Sequence, residues 1–479
     1  MKRRPIEAGP ILLWFRDDLR LTDHPGVTAA VRRNVPVIPL YILDETEPLR
    51  RMGGASRWWL HRSLAALDSE LRHHRSRLVL RRGSAARIVA DLAAEVGASA
   101  VYWSRSYEPR EREREGRIRT MLAQRGVEVR TFPANMLAEP TEFTKKDGGP
   151  FQVFTPFWKA LRARVRPVSP LPAPTHVLAP ATWPDTETLD SWRMLPTHPN
   201  WAKGFEIWTP GEAGAKEQLT QFLDSTLTGY SVGRDHPSLP HTSRLSPHLH
   251  FGELSVASAW RNVLAATAEG RAPEQDGEAF LKELAWRDFS RHLLFHFPNL
   301  PEVPWRQEFA RFPWRSDPKG LDAWKRGLTG YPIVDAGMRE LWSTGWMHNR
   351  VRMIVASFLT KHLLLPWQEG EAWFWDTLVD ADLANNAANW QWVAGSGADA
   401  APYFRIFNPV LQGERFDPEG AYVRQWVPEL AELPPSAIHR PWEYGLLQAA
   451  RDYPGPIVDH QTARRRALEA YERVTGKRG

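Results

Sequence analysis

The sequence predicts an α/β domain with a parallel five-stranded, Rossmann-like sheet, then an all-α domain, with a long connector between them. Three observations carry this reading. Short apolar runs alternate strictly with helical patterns over the first third, eight prolines lie between Pro167 and Pro199 with little periodicity, and from about Gly204 onward the patterns are helical. Strict alternation implies right-handed crossovers, hence a parallel sheet. The expected boundaries are residues 1–135, an extended connector 136–203, and a helical domain 204–479.

Strands are read at Ile11–Phe15, Val37–Ile42, Leu78–Leu80, Ala100–Trp103 and Val127–Thr131, each a run suited to burial on both faces. Helical spacing fills the gaps at Ser56–Arg72, Ser84–Val96 and Arg110–Gln124. No G-x-G-x-x-G follows the first strand, so the dinucleotide fingerprint is missing. In the second half, Glu278–Phe297, Val334–Ser343 and Met347–Leu365 have helical spacing, and the basic tail Ala463–Arg478 reads as a solvated helix.

Composition narrows the chemistry. The chain has no cysteine, which excludes disulfides, thiolate zinc sites, cysteine-ligated iron–sulfur clusters and cysteine nucleophiles. It has 23 Trp against 10 Tyr, and indoles serve core packing, base stacking or electron transfer; composition does not choose among them. A net charge of +6 permits a polyanionic partner without requiring one. The first apolar run, ILLWF, is too short for a signal-peptide core, and no stretch approaches the roughly 18 apolar residues of a membrane span. A soluble, cytoplasmic protein is expected.

Four segments concentrate groups that bind or react. Thr242-Ser243-Arg244-Leu245-Ser246-Pro247 offers hydroxyls, an arginine and backbone N–H groups ahead of a helical stretch, which suits a phosphate or a simple helix cap. Glu283, Trp286 and Arg287 share one helical face, where they form either a base-reading, stacking and phosphate-gripping set or a surface ion pair beside a core indole. Asn349, Arg350, Arg352 and Met353 open another helix, and its two arginines need partners that Asp380 and Asp382 could supply. Asn385-Asn386-Ala-Ala-Asn389-Trp390-Gln391-Trp392 is too polar for a core stripe and fits an aromatic-lined pocket. By contrast, His248-Leu-His250 lacks a third metal ligand, Gly395-Ser396-Gly397 does not fit a nucleophile elbow, and Asp17-Asp18 reads as loop charge.

In order, these residues resemble the photolyase/cryptochrome family. The resemblance runs through LLWFRDDLRLTDHPG, TPFWKAL from Thr155, TSRLSPHLHFGELS from Thr242, LAWRDF, TGYPIVDAGMRELWSTGWMHNRVRMIVASFL, NNAANWQW and GADAAPYFRIFNP, nearly the whole chain. It implies an N-terminal antenna-binding α/β domain and a helical domain that binds FAD and the DNA lesion. By position, Tyr230 and Thr242, Ser243, Arg244, Leu245 and Ser246 would hold the FAD ribose and diphosphate. Asn349, Arg352, Asp380 and Asp382 would line its ring and adenosine ends, and Asn386 would face the redox-active flavin nitrogen. An asparagine there favours repair, since plant cryptochromes carry an aspartate.

The resemblance also implies a reaction: repair of cyclobutane pyrimidine dimers in DNA, driven by light through fully reduced FAD. A dimer must be flipped from the duplex to be reached, which is least costly where pairing is already damaged. Glu283, Trp286, Met353 and Trp392 match the lesion pocket, and Arg234, Arg287, Asn349 and Arg350 its DNA contacts. Trp390, Trp367 and Trp314 match the indole chain that reduces oxidised flavin in light, whereas Trp373 and Trp375 read as packing or a branch. The absence of cysteine separates the chain from iron–sulfur relatives that repair (6-4) lesions. RMGGASRWWLHRSLAALDSEL and NNAANWQW look most like the class III dimer photolyases, implying a 5,10-methenyltetrahydrofolate antenna beside Glu111. The expected partner is dimer-containing DNA, met by a monomer with no obligate protein partner. The competing expectation is a cryptochrome-type blue-light photoreceptor signalling through a protein. It is disfavoured because the chain stops about 60 residues after Phe416 without a disordered extension.

Overall fold

A computed structural model of the chain describes residues 9–133, 135–166, 169–399, 404–444 and 453–476. Part of GADAAPYFRIFNP and the extreme tail therefore lie outside the described residues. The sheet is parallel, with β1 (Ile11–Phe15), β2 (Val37–Leu43), β3 (Val79–Arg82), β4 (Ala100–Ser104) and β5 (Glu128–Phe132) in the order β3-β2-β1-β4-β5. Each of β1, β2 and β4 is buried throughout because both sheet faces are covered; Ile11, Leu13 and Phe15 enter one core while Leu12 and Trp14 enter the opposite one. Edge strand β5 alternates between exposed and partly covered residues.

The expected helices form as Gly54–His73, Ala85–Glu95 and Pro109–Gln124, and a short one, Pro25–Val31, was not anticipated. The latter is capped by His24, whose Nδ1 accepts from Val27 N at 3.2 Å.

Three segments depart from the sequence reading. Phe154–Arg164 is a helix inside the stretch expected to be extended, and its Phe154, Phe157, Trp158 and Leu161 enter the core of the helical domain. Met347–Leu365 is not one helix; His348 caps Asn349–Ser357, and a π-helical turn, Phe358–His362, follows. The tail helix, His460–Thr475, is not solvated all round, since Ala463, Ala467, Ala470 and Tyr471 form a buried stripe against Phe309, Phe312 and Phe404. Alanines mark such a stripe faintly amid the charge.

The proline-rich connector lies along the first domain. Val37 N donates to Leu178 O at 2.9 Å and Glu187 N to Leu80 O at 3.0 Å, while Trp192 and Met194 are buried in that domain's core. Indoles then join the two domains: Trp58 packs on Phe205, and Trp59 packs on Trp208 and His248. The Trp59 Nε1 donates to Glu253 Oε1 at 3.0 Å, and Glu253 Oε2 meets His248 Nδ1 at 2.5 Å. Much of the tryptophan content therefore packs. Among the described residues no helix is long and apolar enough to cross a membrane.

Candidate active site

The helical domain encloses a cavity of about 690 Å³, within the range of cofactor sites. Three helices build it. Glu274–His296 contributes Phe280, Glu283, Trp286 and Arg287; Asn349–Ser357 contributes Asn349, Arg350, Arg352 and Met353; Leu383–Ala394 contributes Asn386, Trp390 and Trp392. Tyr230 and the turn with Thr242, Ser243, Arg244 and Ser246 complete the wall, where Arg244 takes φ 51°. Stretches far apart in sequence thus face one space.

Two ion pairs join the cationic residues of this wall to nearby carboxylates. Arg234 Nη1 lies 2.5 Å from Glu283 Oε1, and Arg350 Nη2 lies 2.7 Å from Asp235 Oδ1. Burial pulls the Arg234 value down, but the charge and hydrogen bond of Glu283, with Tyr230 and Asp235, together outweigh it and leave Arg234 above its ordinary value. Trp286 and Trp392 are only half-buried, so both indoles retain accessible surface.

Deeper in, the expected ion pairing is partly rearranged. Arg352 meets Asp380 at 2.9 Å, whereas Asp382 pairs with Arg291 at 2.7 Å and caps its own helix by accepting from Asn385 N at 2.9 Å. Although burial opposes ionisation of Asp382, the Arg291 charge holds it well below the usual carboxylate range. Asn386 Nδ2 donates to the backbone oxygen of Glu371 at 2.9 Å and to its Oε1 at 2.8 Å.

The donor set suits FAD. Phe280, Leu284, Phe374, Leu378 and Ala381 give apolar surface for a flat ring, Asn349, Asn386 and the Arg352–Asp380 pair give polar edges, and the hydroxyl turn beside Arg244 gives donors for a diphosphate.

Several expected residues sit elsewhere. Leu245 is wholly buried in the helical core, so its side chain does not enter the cavity. Arg287 lines the cavity but is turned inward: it donates to Asn135 O at 2.7 Å and Leu249 O at 3.1 Å, and lies beside Asp288. Burial, together with Arg291, lowers it to about 10, and its contacts here secure backbone. Glu111 is held between Arg16 and Arg114, and the adjoining crevice at the sheet's carboxyl end has only about 40 Å³. Glu111 itself does not line that crevice.

Of the three indoles expected to form an electron-transfer chain, Trp390 reaches the cavity and Trp367 and Trp314 do not. It packs edge-on against Phe374 at 5.0 Å and Trp324 at 6.2 Å. Gly370 permits this approach, since a Cβ there would lie 2.0 Å from the Trp390 ring. Trp367 is buried behind it in the same core, and with the half-buried Trp314 it lines a separate surface cleft. Sequence reasoning missed Phe154, Asp235, Arg291 and Glu371. Only Asp235, one residue from Arg234, carried a local signal.

Comparison with known proteins agrees with this geometry. Residues 11–175 match the family model described as DNA photolyase, and residues 280–473 match that of the FAD binding domain of DNA photolyase. The chain belongs to the photolyase/cryptochrome family of flavoproteins. Within it, the chain is 52% identical over 478 residues to a deoxyribodipyrimidine photo-lyase of Agrobacterium fabrum, covering 98% of this chain and 99% of that one. The crystal structure of a bacterial class III photolyase from Agrobacterium tumefaciens superposes with a TM-score of 0.95 at 51% identity, covering 99% of this chain and 100% of the other. Cryptochrome-1 of Arabidopsis thaliana is 39% identical, over 98% of this chain and 71% of its own length.

Proposed function

We propose that the protein is a class III-type deoxyribodipyrimidine photo-lyase that splits cyclobutane pyrimidine dimers in DNA using light. The observation that carries this is the placement of Glu283, Trp286, Met353 and Trp392 on the cavity that also takes Asn386 and the Arg352–Asp380 pair. A lesion entering this cavity would lie next to the cofactor. When bound, fully reduced FAD would, on excitation, lend one electron that opens the cyclobutane ring and then returns to the flavin, leaving no net redox change.

The residues then have distinct tasks. Trp286 and Trp392 stack on the flipped pyrimidines and replace the base stacking lost from the duplex. Glu283 exchanges its contact with Arg234 for the polar edge of the dimer and stabilises charge that develops there. Arg234, once released, and Arg350 take phosphates, giving affinity that is salt-dependent and insensitive to sequence. Tyr230, Thr242, Ser243, Arg244 and Ser246 hold the nucleotide part of FAD; Asn349, Arg352, Asp380, Asp382 and Asn386 hold its ring and adenosine ends. Trp390, Trp367 and Trp314 carry electrons from the surface. No side chain has to act as general acid, base or nucleophile.

An antenna of the 5,10-methenyltetrahydrofolate class, beside Glu111, accords with the class III likeness, and the absorption spectrum of purified protein tests for it. The protein works as a monomer on cytoplasmic, nucleoid DNA. Illuminating reduced protein with dimer-containing oligonucleotide and counting restored thymines tests the whole reading. Thymines are restored in blue light and not in darkness; no restoration leaves the cryptochrome-type photoreceptor as the reading.

A further inference from the structure

The N-terminal domain reaches the cofactor cavity through one buried carboxylate. Glu371 lies in helix Trp367–Thr377, and its carboxylate meets Arg50 Nη1 at 2.7 Å and Nη2 at 2.8 Å in a two-point pair. Arg50 belongs to the loop between β2 and helix Gly54–His73, in the other domain. Its guanidinium also rests 4.2 Å from the centroid of the Trp375 ring, whose Nε1 donates to Arg51 O at 2.8 Å. Gly53 brings this loop close to the helix end, since a Cβ there would lie 2.1 Å from Trp375 O. The arginine is therefore anchored on two sides.

Glu371 dictates which end of the Asn386 amide meets the cavity. Both acceptors presented to Asn386, the Glu371 backbone oxygen and Oε1, engage Nδ2, which satisfies both amide hydrogens. Flipping the amide would set oxygen against two oxygens. Oδ1 is left for the cavity that Asn386 lines.

We propose that Arg50 is a positioning residue for the flavin site, acting across the domain boundary: it fixes Glu371, and Glu371 fixes Asn386 so that a carbonyl acceptor faces the cavity. This rests on the reading that Asn386 meets the redox-active edge of the flavin. An acceptor there favours the reduced ring, which carries an N–H at that edge, over the oxidised ring, which presents a lone pair. Arg50 thereby biases the bound cofactor towards its reduced form from outside the domain that binds it.

The test is reductive titration of the flavin-loaded protein, following the ratio of oxidised to reduced flavin at a fixed applied potential. Arg50→Ala should raise that ratio about tenfold, the scale of one charge-assisted hydrogen bond. Glu371→Gln should do the same, and the double variant should add little because both act through one amide. Arg50→Lys keeps the charge without the two-point geometry and should fall between. Should Arg50→Ala not fold or not hold flavin, Arg50→Lys and Arg50→Gln carry the test, and an unchanged ratio in both overturns the proposal. A purely structural role would lower the melting temperature and leave the ratio alone, which also overturns it. Asn386→Leu separates the two readings: if it shifts the ratio while the Arg50 variants do not, only the relay fails; if it shifts nothing, Asn386 does not face the flavin.

Discussion

The indole of Trp286 lies flat on the phenyl ring of Phe154, with ring centroids 3.6 Å apart and planes 5° from parallel. The protein covers one face of this indole, and under the proposed function the other receives a base. Phe154 begins a helix within the segment that links the two domains, so that segment sets the tilt of the stacking platform. Trp286→Ala should weaken binding of dimer-containing DNA by about 1–3 kcal/mol, the worth of one stacked base, and change binding to undamaged duplex little. Fluorescence anisotropy with both oligonucleotides checks this; equal weakening of both would make Trp286 a structural residue.

Glu283 has a different assignment, because its partner among the described residues, Arg234, is a cation that DNA can take over. Glu283→Ala should slow dimer splitting by about ten- to a hundredfold, from the roughly 1.5–3 kcal/mol of a hydrogen bond to a charged group, without loss of flavin. Repair yield per absorbed photon and flavin absorbance are measured on the same preparation. Parallel loss of both would show that Glu283 holds the cofactor.

Trp390 is the chain indole that meets the cavity, with Trp367 and Trp314 lying behind it toward a surface cleft. Trp390→Phe should block light-driven reduction of oxidised flavin while sparing repair by chemically reduced protein. Undiminished photoreduction would route electrons through other residues.

The tail helix offers a pH prediction. His362 Nε2 and His460 Nδ1 lie 2.8 Å apart, and burial, helped by His460, lowers His362 to about 3. A histidine with a folded value below its unfolded value of about 6.5 binds fewer protons when folded. Its stabilising contribution is full above pH 6.5 and drains as pH falls towards 3, by about 1.4 kcal/mol per pH unit. His362→Asn should therefore destabilise the protein at pH 8, and its deficit should shrink on acidification through this window. Urea denaturation at pH 8, 6.5 and 5.5 measures the deficit, and a constant one contradicts the mechanism.

How legible the molecule was depends on the range of each interaction. Strand β1 was read to the residue, because five apolar residues in a row have no other use in an alternating α/β pattern. Helix Phe154–Arg164 was missed because its apolar residues adjoin a proline-rich stretch, and the buried side of the tail because alanines carry so little hydrophobic contrast. The site showed through where several of its residues share one helix turn, as with Glu283, Trp286 and Arg287. Arg287 nevertheless turned inward, since carbonyls of Asn135 and Leu249, distant in sequence, surround its guanidinium.

By itself, the sequence determined the elements, their α/β and all-α grouping, the absence of thiol chemistry and, through its ordered motifs, the family. Those properties are written in local period and residue type. Only the tertiary structure decided which charged groups are free and which are spent: Glu111 between two arginines, Arg287 on backbone carbonyls, and Glu371 shared by Arg50 and Asn386. The physical reason is that a buried charge must find its partner in space, and folding brings together residues that no local pattern relates.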